Sequence, residues 1–175
     1  NELWVKDKLV QSAPEFKIPK MMLAWCKQKM EESKFPHRTG SKHVDLRPGM
    51  MNFSIVGRNA NQEQRKQYEE WDAENQERKQ IVEKLREKFD TLDFVIGGAV
   101  SMDIFNKGND KSQIIDKYFS DALEHNKIHF VGDRIPAPGN DHTLAEKLRS
   151  HPNGLAYEVE TWEDTAKLLK SEPFA

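Results

Sequence analysis

The sequence predicts a mixed α/β chain in two parts: an α+β layer, with antiparallel strands covered on one face by helices, then part of a doubly wound α/β layer. Two observations predict it. Up to Phe105, short strand-like runs come in pairs joined by turn residues, with long charged helical runs between the pairs. After Gly108 the order becomes helix, strand, helix, strand, helix. The expected boundary divides the chain into 1–107 and 108–175, and a chain of 175 residues suits two small domains.

Each element has a local reason. Leu3 to Val10 reads as a hairpin turning at Lys6-Asp7-Lys8. Pro19 opens a helical run through Met21-Met22-Leu23-Ala24-Trp25 to about Met30. His43 to Arg47 and Met51 to Val56 form two antiparallel strands joined by Pro48-Gly49. Asn61 is placed to cap the run Gln62 to Phe89, whose polar stretch Asp72 to Lys79 predicts a break into two helices. Asp93 to Ile96 and Val100 to Phe105 flank Gly97-Gly98 as a further strand pair. Lys111 to about Glu124 reads as an amphipathic helix with Ile114, Ile115, Tyr118, Phe119 and Leu123 on one side. Ile128-His129-Phe130-Val131 has the continuous apolar character of a buried parallel strand. A short helix from His142 to Arg149, a strand from Leu155 to Val159 and a last helix capped by Thr161 and Asp164 complete the order. Two strands make half of a doubly wound sheet, so a further segment is expected to supply the rest.

Composition narrows the function classes. Charged residues make up 32% of the chain, but their signs are mixed and the net charge is only −2, which gives no footprint for nucleic acid. No apolar run approaches the roughly 18 residues of a membrane span. Asn1-Glu2-Leu3-Trp4 opens into folded-type sequence without a secretory signal, and Cys26 is the only cysteine, so a reducing cytoplasm is expected. The abrupt start without methionine suggests a fragment. The histidines show no metal-type i, i+4 pairing, and Cys26 lacks an activating neighbour.

Two places could carry chemistry. The loop Val131-Gly132-Asp133-Arg134-Ile135-Pro136-Ala137-Pro138-Gly139-Asn140-Asp141 leaves the C-terminal end of a predicted strand, where open α/β sheets bind ligands. Its oxygen donors Asp133, Asn140 and Asp141 suit a hard cation such as Mg²⁺. They equally suit a turn in which Asn140 or Asp141 caps the next helix. Lys111 stands at a predicted helix start, where its ammonium could meet an anion or simply face water, and Asp110 before it reads as a cap.

These motifs occur in an order that resembles one family. Lys107-Gly108-Asn109-Asp110-Lys111, then Phe130-Val131-Gly132-Asp133 and Gly139-Asn140-Asp141, are similar to the last two motifs of the haloacid-dehalogenase superfamily, subclass IIB. With Arg47-Pro48-Gly49-Met50-Met51-Asn52, Val56-Gly57-Arg58-Asn59, Gln62-Glu63-Gln64-Arg65 and Gly97-Gly98-Ala99-Val100-Ser101-Met102-Asp103-Ile104-Phe105, the chain resembles the eukaryotic-type phosphomannomutases from about Arg47 to its end. The resemblance implies that 1–107 is a cap domain and 108–175 the C-terminal half of a haloacid-dehalogenase-type, Rossmann-like core. It implies a Mg²⁺-dependent phosphotransferase that interconverts hexose (mannose) 6-phosphate and 1-phosphate through an aspartyl-phosphate and a hexose bisphosphate, in GDP-mannose biosynthesis.

It also implies residue roles. Arg47, Arg58 and Arg65 would hold the non-reacting phosphate, Ser101 and Asp103 the sugar hydroxyls. Lys111 would screen the nucleophile, and Asp133, with Asn140 and Asp141, would serve Mg²⁺. Singly, each arginine is equally an exposed salt-bridge partner, and Ser101 and Asp103 an ordinary polar sheet face. The family's Asp-x-Asp-x-Thr motif is not found in these 175 residues, so the chain alone is expected to be inactive. Thr143 to His151 departs from the family's acidic stretch, and no second, structural cation is expected there. A hexose bisphosphate activator and a homodimer formed through the cap are further expectations. Two other readings stay open: a sugar-phosphate phosphatase of the same fold, and a non-catalytic sugar-phosphate-binding or dimerisation module.

Overall fold

The computed structural model describes residues 1–174 and divides into two compact units, Asn1–Asn109 and Asp110–Ala175. The first opens with the hairpin β1 (Glu2–Val5) and β2 (Lys8–Ser12). Val5 pairs with Lys8, so Lys6 and Asp7 form a two-residue turn, both at positive φ, 48° and 62°. That conformation matches the right-handed twist of paired strands.

Helix α1 (Lys20–Glu32) follows Pro19 and buries Met22, Trp25 and Cys26. Burial pushes the Cys26 thiol up to about 12, which leaves it unreactive. Met21 and Leu23, on the same helix, face outward.

Four strands build the main antiparallel sheet: β3 (Val44–Arg47), β4 (Met50–Phe53), β5 (Leu92–Gly97) and β6 (Ser101–Asn106), in the order β3-β4-β6-β5. Pro48-Gly49 joins the first two, with Gly49 at φ 69°. A Cβ on Gly49 would also stand 2.8 Å from that of Ala13, so glycine is required there twice over. Strand β4 ends at Phe53 rather than at Val56. The Ser54 amide still bonds to the His43 carbonyl in register, and its hydroxyl donates to the Val100 carbonyl at 2.9 Å as the chain turns away.

Helices α2 (Gln62–Asn75) and α3 (Glu77–Lys88) meet at Gln76, which adopts φ 54° inside the predicted polar break. Asn61 caps α2 in a reciprocal capping box with Gln64. Directly paired residues point to the same side of a sheet. The row Met51, Ile104, Phe94 therefore faces one way, and it packs with Tyr68, Ile81, Val82, Leu85, Met22 and Trp25 into the core of this unit. The opposite face carries Asp45, Arg47, Asn52 and Asp103, with Met50, Val95 and Phe105 among them.

The second unit is smaller. Strand β7 (Ile128–Gly132) pairs in parallel with β8 (Gly154–Glu158), while α5 (His142–Arg149) packs against both. Ile115, Leu123, Leu144 and Leu148 form its core against Ile128 and Phe130. Four of the five β7 residues are only half-buried, because two strands and α5 leave much of the sheet uncovered.

The predicted helix from Lys111 differs from expectation. Residues 111 and 112 form a turn, residues Ile115–Phe119 wind as a π-helix, and α4 (Ser120–His125) follows. The wider winding shifts the apolar side chains off a 3.6-residue stripe. Ile115 and Leu123 are buried, whereas Ile114, Tyr118 and Phe119 are 38%, 38% and 41% exposed. Helix α6 (Trp162–Leu168) begins in the predicted Thr161–Asp164 capping box. Among the described residues, no helix is long and apolar enough to cross a membrane.

Candidate functional site

The face of the four-stranded sheet that carries Asp45 gathers most of the residues singled out by sequence. The Pro48-Gly49 turn sets the register: Arg47 opposite Met50, hence Asp45 opposite Asn52. On the next strand Asp103 lies opposite Asn52. Asp45, Asn52 and Asp103 thus form one row across β3, β4 and β6, all on the face away from the helices. Ser101 lies two residues before Asp103 on the same face.

Asp45 organises the cationic end of this row. Its Oδ2 accepts from Nε of Arg47 at 3.1 Å and lies 3.8 Å from Nε of Arg58, while its Oδ1 lies 3.1 Å from Nζ of Lys42. The Lys42 hydrogen bond, then that of Arg47, holds its carboxyl below the ordinary aspartate range against the opposing effect of burial. Both guanidiniums approach Asp45 through Nε, which leaves their Nη groups unused by this carboxylate. They are the fork that binds phosphate oxygens in pairs.

Arg65 sits beside this pair in a different role. Its Nε donates to the Ala60 carbonyl at 2.9 Å and its Nη2 to the Arg58 carbonyl at 2.8 Å, so it braces the loop that carries Arg58. Position Arg65 follows from the cap at Asn61, which starts α2 one turn earlier.

At the other end of the row, Nδ2 of Asn52 donates to Oδ1 of Asp103 at 2.7 Å. The Ser101 hydroxyl donates to the Gly97 carbonyl at 2.9 Å. Gly97 leaves room for Asp103, since a Cβ there would lie 2.6 Å from Oδ2. Asp45 and Asn52 are the functional candidates that sequence reasoning passed over. The signal was present: a two-residue turn fixes pairing, and alternation puts Asp45 beside Arg47 on one face.

The second unit brings Lys111 and Asp141 together in an ion pair between Nζ and Oδ1. Asp141 precedes α5, but its side chain makes no capping bond. Its Oδ2 instead accepts from the Arg134 amide at 3.2 Å, and the carboxylate is 3% exposed. Gly132 makes this possible, since a Cβ there would lie 2.7 Å from Oδ2. Asp133, at the end of β7, is 63% exposed along its side chain, with Arg134 Nε 4.0 Å away. Asn140 is half-buried in the turn before α5. Asp110 accepts from the Ser112 amide at 2.7 Å, an Asx turn that opens the helical segment.

For a hard cation the donor set fits in part. Asp133 offers an open carboxylate at a strand end, whereas both oxygens of Asp141 already serve Lys111 and the loop. Among the described residues, no group of three or more His, Cys, Asp or Glu side chains could hold a metal ion.

The family model described as eukaryotic phosphomannomutase matches residues 4–173. The chain belongs to the eukaryotic phosphomannomutase family. It is 35% identical over 142 residues to phosphomannomutase of Saccharomyces cerevisiae, covering 80% of this chain and 53% of that protein. It is 38% identical over 130 residues to phosphomannomutase of Glycine max, covering 73% and 49%. To the probable phosphomannomutase of Caenorhabditis elegans it is 37% identical over 144 residues, covering 81% and 54%. The chain spans about half the length of these curated phosphomannomutases.

Proposed function

We propose that this chain is the hexose-phosphate-binding portion of a phosphomannomutase, and that the whole protein moves a phosphoryl group between the 1- and 6-positions of mannose. One observation carries the reading: the row that holds Arg47 and Arg58 on Asp45 continues through Asn52 to Asp103 on a single sheet face. Two strand spacings, about 10 Å, separate its ends. That is the span of a phosphate and the hydroxyls of the sugar that bears it.

The chemistry follows from the residues. The Nη groups of Arg47 and Arg58 bind phosphate oxygens bidentately, with Arg65 holding the Arg58 loop in place. Ser101 and Asp103 orient the ring through its hydroxyls. In the other unit Lys111 supplies a positive charge at the strand-end loop, positioned by buried Asp141, and Asp133 offers a carboxylate to Mg²⁺. That ion, when bound, would neutralise developing charge on the transferred phosphoryl group. The nucleophilic carboxylate is not among the residues of this chain, which contains no Asp-x-Asp pair. Hexose bisphosphate as activator and dimerisation through the first unit complete the proposal.

Calorimetric titration of the chain with mannose 1-phosphate and mannose 6-phosphate tests it. Both ligands are expected to bind, and Arg58→Ala is expected to weaken each about 10–100-fold, the worth of a charge-assisted pair. Equal affinity of Arg58→Ala and the parent chain would overturn the assignment. In the whole protein, isomerised sugar phosphate in excess of free phosphate separates a mutase from a phosphatase.

A further inference from the structure

We infer that His43 is a positioning residue for the phosphate-binding arginines. In its imidazolium form it donates from both ring nitrogens and fastens the segment 39–43 to the loop that carries Arg58. The inference rests on the reading of Arg47 and Arg58 as phosphate ligands, and adds a proton-dependent support behind them.

The observation is a ring held between two acceptors. Nδ1 of His43 lies 3.0 Å from the Ser54 carbonyl oxygen, and Nε2 lies 2.9 Å from that of Thr39. A carbonyl oxygen can only accept, whereas a neutral imidazole carries one N–H and one lone pair. Whichever tautomer the neutral ring adopts, one nitrogen sets its lone pair against an oxygen. Only the imidazolium turns both contacts into hydrogen bonds, and both are then charge-assisted.

The two carbonyls belong to different segments. Thr39 lies on the stretch that leads into β3, while Ser54 follows β4 and opens the loop to Arg58. Backbone bonds join the same two segments. The Thr39 amide donates to the Val56 carbonyl at 3.0 Å, and the Arg58 amide to the Lys42 carbonyl at 2.9 Å. Their approach is close, since a Cβ on Gly57 would lie 2.2 Å from Thr39 Oγ1. Lys42 is held here at φ 53°, a conformation that side chains such as lysine rarely adopt. From it Nζ reaches Asp45, the carboxylate that also meets Arg47 and Arg58. The place of Arg58 and the strained turn at Lys42 thus share one support, and the half-buried His43 ring stands in it.

The charged groups on the surrounding segments are Lys42 beside the ring, Arg58 on the facing loop, and Asp45 and Arg47 on β3. Arg65 of α2 joins them through the Arg58 carbonyl. Cations outnumber carboxylates in this set, and a bound phosphate redresses the balance. Proton binding at His43 and phosphate binding at the arginines therefore favour each other, and by linkage they do so equally.

The test measures mannose 1-phosphate affinity by calorimetry for the parent chain and for His43→Phe, a flat ring without N–H groups. Titrations at about pH 5.5 and about pH 8 bracket the range in which histidine changes charge. The ratio of the two proteins at each pH cancels the ionisation of the ligand's own phosphate. The parent is expected to bind about tenfold more tightly than His43→Phe at the lower pH, the worth of one charge-assisted hydrogen bond, and within about twofold of it at the higher. A ratio that is the same at both pH values would overturn the inference and leave His43 an ordinary structural residue. Failure of the parent to bind the hexose phosphate at either pH would overturn the phosphate reading beneath it. Should His43→Phe fold poorly, nitrogen NMR of the parent decides. With mannose 1-phosphate bound at the lower pH, both ring nitrogens of His43 are expected to carry a proton, and a neutral ring there would sink the proposal.

Discussion

Nε of Arg78 lies 2.7 Å from Oδ2 of Asp72, with both side chains less than a tenth exposed. The same carboxylate caps the Arg78 amide through Oδ1 at 2.9 Å, and Nη1 reaches the Gly98 carbonyl at 2.8 Å. This buried pair thereby ties α2, α3 and the turn between β5 and β6 into one support behind Ser101 and Asp103.

Arg78→Ala is expected to destabilise the first unit by about 3–5 kcal/mol, because it leaves Asp72 charged and alone in the interior. Urea unfolding followed by tryptophan fluorescence measures it. Arg78→Lys keeps the charge but not the fork, and should recover only part of the loss.

Gly97→Ala should separate sugar recognition from phosphate binding. The added Cβ, 2.6 Å from Asp103 Oδ2, forces the carboxylate away and strains its bond to Asn52. Mannose 1-phosphate is expected to bind about tenfold more weakly, the worth of one hydrogen bond, while inorganic phosphate binds as before. Parallel titrations of the two ligands check this, and equal losses for both would contradict it.

Two carboxylates should give the stability profile opposite slopes. The Lys42 hydrogen bond holds Asp45 below its ordinary range, so its contribution is present above about pH 4 and is lost as pH falls through the lower folded-state value. Glu77 is raised, chiefly by burial and against hydrogen bonds from Ser33 and Tyr68. Its protonated form is favoured in the native state, so stability falls as pH rises from about 4.3 through the raised value. Denaturant unfolding across pH 3–7 should show Asp45→Asn flattening the acid-side loss. Glu77→Gln, which can still accept from Tyr68 Oη, should gain stability at pH 7.

In the second unit, Lys111→Met removes the partner of a carboxylate that is 3% exposed. The lysine itself is 48% exposed along its side chain, so solvent screens part of the loss. A destabilisation of about 1–3 kcal/mol is expected, and Lys111→Met with Asp141→Asn together should cost less than the sum of the single changes. A double-mutant cycle from thermal unfolding measures the coupling.

The linear sequence by itself determined the element order, because periodicity, capping residues and turn residues are local signals. Asn61 capped α2, the polar stretch around Gln76 broke the long helix, and Thr161 with Asp164 opened α6. It also carried the family, through motifs whose order survives without coordinates. The π-helical winding at Ile115–Phe119 was not legible, since a five-residue repeat leaves no mark on an apolar pattern read at 3.6. Only the tertiary structure decided which oxygen of which acid meets which cation. Asp45 and Asn52 gained meaning from strand register, and Asp141 meets Lys111 thirty residues away in the sequence. Such pairings depend on where two distant backbone segments converge. A local pattern holds no information about that distance.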